Sequence, residues 1–173
     1  LPVPDSYRAA LERGTRNRNC APGPGYWTQR VDYDLEVSLD PSRNRVQGSG
    51  SITYTNNSPG TLSTLALNLN QNVFAPGNPR NRQAPITGGF EITRLLIEGT
   101  AMDLTPRPGR SVATNVALEL PRTLPPGGSI GIEVDWSFEV PEETFRMGRE
   151  GSEVFYLAQW YPQVAVYDDL VGW

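Results

Sequence analysis

The chain has 173 residues, of which 38% are hydrophobic and 20% charged, and its formal net charge is −4. This is the length of one domain, which can bury roughly 70% of the surface that its unfolded form exposes. The negative charge argues against a nucleic-acid surface, which needs a basic face to displace phosphate counterions. The sequence contains no His, which excludes a Ser-His-Asp triad, a Cys-His pair and a His-based zinc site within this chain. No apolar run approaches the ~20 residues of a membrane span.

The N-terminal part predicts one short helix. Residues 4–14 (PDSYRAALERG) carry Asp5 or Ser6 as a candidate N-cap, and Gly14 is placed to end the helix. A connector rich in polar residues, Gly and Pro follows. We therefore divide the chain into an N-terminal helix and connector, residues 1–25, and a single β domain, residues 26–173.

The body of the chain alternates between apolar and polar residues, as half-buried strands do. Gly48 and Gly50 interrupt the second strand and predict a bulge or a bend there. Residues 71–89 form a long irregular loop, and residues 153–161 predict a last short strand. The residues predicted to face inward are Val31, Tyr33, Leu35, Val37, Leu39, Val46, Ile52, Tyr54, Leu65, Leu67, Leu69, Val112, Val116, Leu118, Leu120, Ile130, Ile132, Val134, Trp136, Phe138 and Val140.

Seven or more strands separated by turn signals indicate an all-β fold. The short connections favour mostly antiparallel pairing, in a sandwich or a strongly twisted sheet with the short helix at its start. No linker separates the two halves of the body, so we expect one domain there.

Two groups of carboxylates are candidate sites. The outward face of the first strand, with Asp32, Asp34, Glu36 and Asp40, could resemble an acidic site, but we interpret it as the solvated side of a half-buried strand. Residues 141–153 mix Glu and Arg and could bind a cation. They lack the oxygen-ligand spacing of a calcium loop, and we interpret them as a solvated connector.

Two single residues, Asn56 and Cys20, are further candidate sites. Asn56 begins an Asn-Asn-Ser match to a glycosylation acceptor, but Pro59 follows and turn composition explains these residues. Cys20 lies in the connector without a His or metal-ligand partner near it in sequence, so we interpret it as a bystander thiol.

The C-terminal aromatic residues Trp160, Tyr161, Tyr167 and Trp173 allow two interpretations. They could form a patch for a sugar or another apolar ligand, or they could be core or interface. Composition favours core or interface.

Two segments carry a resemblance to a known family. They are YWTQRVDYDLEVSLDPSRNRVQGSGSITYTNNSPGTLSTLALNLNQNVF, which starts at Tyr26, and FYLAQWYPQVAVYDDLVGW, which ends at Trp173. Both resemble the N-terminal domain of the aminopeptidase N type of zinc metallopeptidases, the gluzincin aminopeptidases. The resemblance implies a saddle-like, mostly antiparallel β domain. It also implies that the catalytic domain, with its zinc and its zinc-binding motif, is missing here, so that this chain alone is not an enzyme.

The resemblance also implies a substrate-binding role for Gln159. In the family a Gln of this domain helps to hold the free α-amine of the peptide substrate, and Gln159 falls on that position. After it, where many relatives have an acidic residue and then an Ala-Arg pair, this chain has Tyr161, Pro162 and Gln163, so only Gln159 is carried over as an amine contact. Trp160 and Tyr161 are expected, by adjacency, to line the first side-chain pocket.

A rival hypothesis is a free-standing β-sandwich module that binds a carbohydrate or a protein through its terminal aromatics. A domain cut from a longer peptidase would leave an exposed apolar patch around residues 155–173, whereas a module would close its chain with ordered structure. The start at Leu1 and the polar N-terminus lean weakly towards a bacterial periplasmic or secreted protein.

Overall fold

The structure is a computed structural model and describes residues 3–80, 83–104, 113–142, 144 and 146–173. The predicted Val112 and the Glu143 of the 141–153 segment lie outside these residues. The elements in chain order are α1 (Asp5–Glu12), β1 (Arg30–Asp40), β2 (Arg45–Thr55), β3 (Leu62–Asn68), a 3-10 helix (Asn70–Phe74), β4 (Glu91–Ile97), β5 (Thr100–Ala101), β6 (Asn115–Leu124), β7 (Ser129–Glu139), β8 (Gly148–Glu150), β9 (Val154–Tyr156) and β10 (Gln163–Val164).

The helix ends as the sequence predicts but begins differently. Gly14 adopts a φ of 71°, and its amide donates to Leu11 while that of Thr15 donates to Ala10. This left-handed ending suits glycine. The prediction of Asp5 or Ser6 as N-cap is wrong, because Pro4 holds that position and no side chain caps the helix.

Two sheets form the body. A five-stranded sheet has the order β1-β2-β7-β4-β5, and a three-stranded sheet has the order β10-β3-β6. Every strand pair within the described residues is antiparallel. One face of β7 is buried at each predicted position from Ile130 to Phe138, and Val140, directly after the strand, is buried as well. The prediction of a mostly antiparallel β fold with a short N-terminal helix is confirmed. Of the described helices, none is both long and apolar enough to cross a membrane.

The inward face of β1 is only partly covered. Tyr33 and Leu35 pack against the core, but Val37 and Leu39 are 51% and 37% exposed. The prediction that they face a core is therefore wrong. β1 is an edge strand with β2 as its sheet neighbour, and the chain near Val164 covers its first half through Tyr33.

Of the bulge or bend predicted at Gly48 and Gly50, the bulge is wrong. β2 keeps an unbroken register with both β1 and β7 through these glycines. A Cβ at Gly48 would overlap the indole of Trp136, and one at Gly50 would overlap Leu35 and the backbone of β1. The glycines make room for neighbouring side chains in a regular strand.

The segment 141–153 is not a plain solvated connector. It contains β8, which pairs with β9 in a hairpin, and Met147 is 2% exposed. Gly148 is buried, and a Cβ at this position would overlap the phenol of Tyr156. The predicted last strand is shorter than expected, since β9 ends at Tyr156.

The turn predicted around Asn56 is confirmed. Asn56 is fully buried, and its Nδ2 donates to the carbonyls of Gly60 and Leu124 at 2.8 and 3.1 Å. Its Oδ1 accepts from the hydroxyl of Ser58 at 2.6 Å. The side chain thus joins two turns, and its burial agrees with a structural role.

Candidate functional site: the turn at Gln159

The chain bends at Ala158 and Gln159, between β9 and β10, and we call this bend the turn at Gln159. Gln159 has a φ of 54° and an exposed side chain. Left-handed backbone is uncommon for residues other than Gly, Asn and Asp, because the Cβ crowds the following carbonyl. Gln159 thus lies outside β9 in a constrained backbone conformation, and not in the strand predicted over residues 153–161.

The side chain of Gln71 forms hydrogen bonds with the backbone of this turn. It is 3% exposed, and its Nε2 donates to the carbonyls of Ala158 and Gln159 at 3.2 and 3.0 Å. Its Oε1 is buried and has no hydrogen-bond partner among the described residues. The side chain therefore acts on the turn only as a donor.

Asn72 fixes the segment that carries Gln71. It is 1% exposed, its Nδ2 donates to the carbonyl of Ala113 at 2.8 Å, and its Oδ1 accepts from the amide of Phe90 at 2.9 Å. The 3-10 helix that opens the predicted loop is thus tied to two other parts of the chain. Sequence analysis missed both amides, since a polar pair at the start of a loop does not signal burial.

Trp160 and Tyr161 pack on the five-stranded sheet. The indole Nε1 of Trp136 donates to the carbonyl of Trp160 at 3.0 Å, and the two indoles lie 6.3 Å apart between centroids. Tyr161 meets Tyr33 edge to face at 5.3 Å. Both aromatics are half-buried, so each has one side on the core and one side accessible.

The Gln159 amide itself is accessible. No described residue forms a hydrogen bond with its side chain, whereas its carbonyl is bound by Gln71. Its side-chain amide therefore has no backbone partner among the described residues. An amide oxygen accepts from an ammonium group, and because it is neutral no second full charge has to be buried with the ligand.

The end of the chain is fastened to the N-terminal connector through Asp169. Arg16 donates to both carboxylate oxygens, with Nη2–Oδ1 at 2.6 Å, and Thr15 Oγ1 donates to Oδ2 at 2.6 Å. Arg13 donates to the Asp169 carbonyl at 2.6 Å. The hydrogen bonds from Arg16, with the one from Thr15, outweigh burial and hold the pKa of Asp169 at about 2. No pattern in the sequence predicts these contacts of Asp169.

The last aromatics pack beside these contacts of Asp169. Tyr167 stacks on Trp27 at 5.6 Å, and Trp173 lies 5.8 Å from Tyr54. Burial raises the pKa of the Tyr54 phenol. Apolar surface remains at Val166 and Val171, which are 80% and 75% exposed.

The described residues do not suit a zinc ion. No group of three or more His, Cys, Asp or Glu side chains among them could hold a metal, and Cys20 is exposed and unbonded to another cysteine.

Comparisons with known proteins gave likenesses of structure alone. No protein-family model and no curated protein matches the chain. A crystal structure of an M1 zinc metallopeptidase from Deinococcus radiodurans aligns with a TM-score of 0.43 and 19% identity, over 69% of this chain and 22% of that one. A mutant of that peptidase bound to a Tyr-Ser-Ala substrate aligns with a TM-score of 0.45 and 19% identity, over 76% and 26%. This chain thus spans about a quarter of the length of these solved structures.

Proposed function

We propose that this chain is the N-terminal β domain of a zinc aminopeptidase, and that Gln159 helps to anchor the α-amine of a peptide substrate. In this proposal residues 1–25 form a helix and connector and residues 26–173 the β domain. The catalytic domain and its zinc lie outside the chain. The parent would remove N-terminal amino acids, and this chain alone would bind no zinc and cleave nothing.

The observation that carries the proposal is the exposed, unbonded amide of Gln159 at a left-handed turn. A residue other than glycine in that conformation costs free energy, and such positions cluster at ligand-binding and active sites. Here the costly residue lies in the segment whose sequence resembles the family, at the position where the family uses a Gln.

The role of Gln159 would be orientation. Its Oε1 would accept a hydrogen bond from the substrate ammonium and so fix the distance between the free N-terminus and the reacting bond. Holding the two groups in a set geometry lowers the entropic part of the barrier. Trp160 and Tyr161 would offer their accessible sides to the first side chain of the substrate.

The exposed apolar side chains near this turn would pack on the catalytic domain. Val154 and Tyr156 on β9 are 56% and 37% exposed, and Val166 and Val171 are more so. Apolar side chains of this kind are covered in interfaces between domains of one chain. In this proposal the catalytic domain covers these side chains.

Kinetics on the full-length protein test the proposal. Gln159→Ala should lower kcat/KM for peptides with a free N-terminus roughly tenfold to a hundredfold, because a hydrogen bond to a charged group contributes about 1.5–3 kcal/mol. Gln47→Ala, an exposed Gln on β2, serves as the matched control and should have no effect. An unchanged kcat/KM in Gln159→Ala would rule out the anchoring role.

A further inference from the structure

Gln71 is a buried side chain that leaves one of its polar atoms without a hydrogen bond among the described residues, which is unusual. Its side chain is buried, and both described hydrogen bonds of its amide go to consecutive carbonyls, those of Ala158 and Gln159. Its Oε1 is buried without a partner among the described residues. A buried acceptor without a partner costs free energy, so this amide is a poor solution if stability alone is served.

The geometry of the two hydrogen bonds explains why an amide side chain occupies this position. Two N–H donors on one nitrogen can hold two successive carbonyls at once. The carbonyls of Ala158 and Gln159 belong to the 158–159 and 159–160 peptides, which lie on either side of the Cα of Gln159. The relative orientation of these two peptide planes sets the φ and ψ of Gln159, and its φ is the strained angle. The side chain of Gln159 leaves the backbone between the two planes, so its direction depends on both.

We propose that Gln71 is the positioning residue of the substrate-amine site: it holds the 158–159 and 159–160 peptides so that Gln159 keeps its left-handed backbone and points its amide outward. This inference rests on the proposed function for its catalytic meaning. Its geometric part concerns this chain alone. Gln71 lies 88 residues before Gln159, so the two residues are coupled only by the fold.

The geometric part can be tested on this chain by NMR. A positive φ brings the amide hydrogen and the α-hydrogen of one residue close together, so wild-type Gln159 should give a strong intraresidue cross-peak. Gln71→Met keeps the length and shape of the side chain but has no donors, and this cross-peak should weaken severalfold. Ile130→Val is the matched control, because it removes a buried methylene six positions along β7 from Trp136 and should leave the cross-peak intact. A cross-peak that stays strong in Gln71→Met would overturn the inference.

The catalytic part needs a double-mutant cycle in the full-length protein. If Gln71 acts through Gln159, Gln71→Met should lower kcat/KM severalfold, and the double variant Gln71→Met/Gln159→Ala should be no worse than Gln159→Ala. A merely structural role would instead multiply the two losses, and that result would overturn the positioning role while the amine anchor stood. If Gln159→Ala alone changed nothing, the amine anchor and its positioning residue would both be wrong.

Discussion

The five-stranded sheet and the C-terminal segment, defined as residues 157–173, are held in place by different means. β2 and β7 are bound by continuous backbone pairing and by apolar side chains that alternate along each strand. The C-terminal segment has one two-residue strand, and distant side chains hold its backbone. Gln71 bonds the carbonyls at 158 and 159, Trp136 bonds that of Trp160, and Tyr33 accepts from the amide of Val164.

This difference suits a rigid scaffold that presents a shaped segment. Regular pairing satisfies its own backbone groups, so it cannot place an exposed side chain in an uncommon conformation. Irregular backbone can do so, but its polar groups then need partners from elsewhere. The price is a dependence on a few side chains, and the following variants separate the two kinds of support.

The largest effect is expected from Phe138→Ala in the sheet. Phe138 is 1% exposed and meets Phe90 edge to face, so removing its ring should lower the free energy of unfolding by about 3–5 kcal/mol. Urea unfolding followed by tryptophan fluorescence measures this. The control is Val37→Ala on the same face, where the side chain is half in water and the expected loss is below about 0.5 kcal/mol. Equal losses would mean that the core does not lie where we describe it.

A smaller effect is expected from Asp169→Asn in the C-terminal segment. The carboxylate side chain is 1% exposed and its partner Arg16 is 18% exposed, so the loss should be about 2–3 kcal/mol, below that of a fully buried pair. Hydrogen exchange should show faster opening of residues 165–173 while the amides of β7 stay protected. Asp32→Asn breaks an Arg–Asp pair whose side chains are 70% and 53% exposed, and it should leave the stability nearly unchanged because water screens such a pair. A uniform loss of protection in Asp169→Asn would show that the segment is not separately held.

The contribution of Asp169 should depend on pH. Its pKa is lowered to about 2 by the hydrogen bonds from Arg16 and Thr15. A carboxyl with a lowered folded-state pKa stabilises the fold above its unfolded pKa of about 3.9, and this is lost as the pH falls towards 2. The stability gap between wild type and Asp169→Asn should therefore shrink by about 2 kcal/mol between pH 5 and pH 2. A gap that stayed constant over this range would contradict the assigned ion pair.

The smallest effect is expected from Gln159→Gly. Glycine adopts a positive φ without steric cost, so the free energy of unfolding should rise by up to about 1 kcal/mol. Gln47→Gly, in extended backbone on β2, should lower it by about 0.5–1 kcal/mol. Thermal unfolding of both variants gives the comparison, and a loss of stability in Gln159→Gly would mean that Gln159 is not strained.

The sequence predicts the sheet well because burial of one face of a strand makes apolar residues recur at every second position. The apolar residues of β7 fall on one face as predicted. The same pattern shows which way Val37 and Leu39 point, but not how far the cover extends, so their exposure was not foreseen. A glycine in a strand is compatible with a bulge and equally with a neighbouring ring packed against the backbone. The sequence alone therefore does not show that Gly48 makes room for the indole of Trp136.

The support of the C-terminal segment could not be predicted, since each contact joins distant residues. Arg16 and Asp169 are 153 residues apart, and neither belongs to a pattern. The family resemblance pointed to Gln159, but its left-handed conformation and its hold by Gln71 came only with the fold.

The mass of the native gene product tests the central claim most directly. We expect intact-mass measurement to give a protein several times larger than the 19.1 kDa of this chain, with the present sequence at its N-terminal side and a zinc-binding domain after it. A native product of about 19 kDa would contradict the proposed peptidase domain and favour a free-standing β-sandwich module.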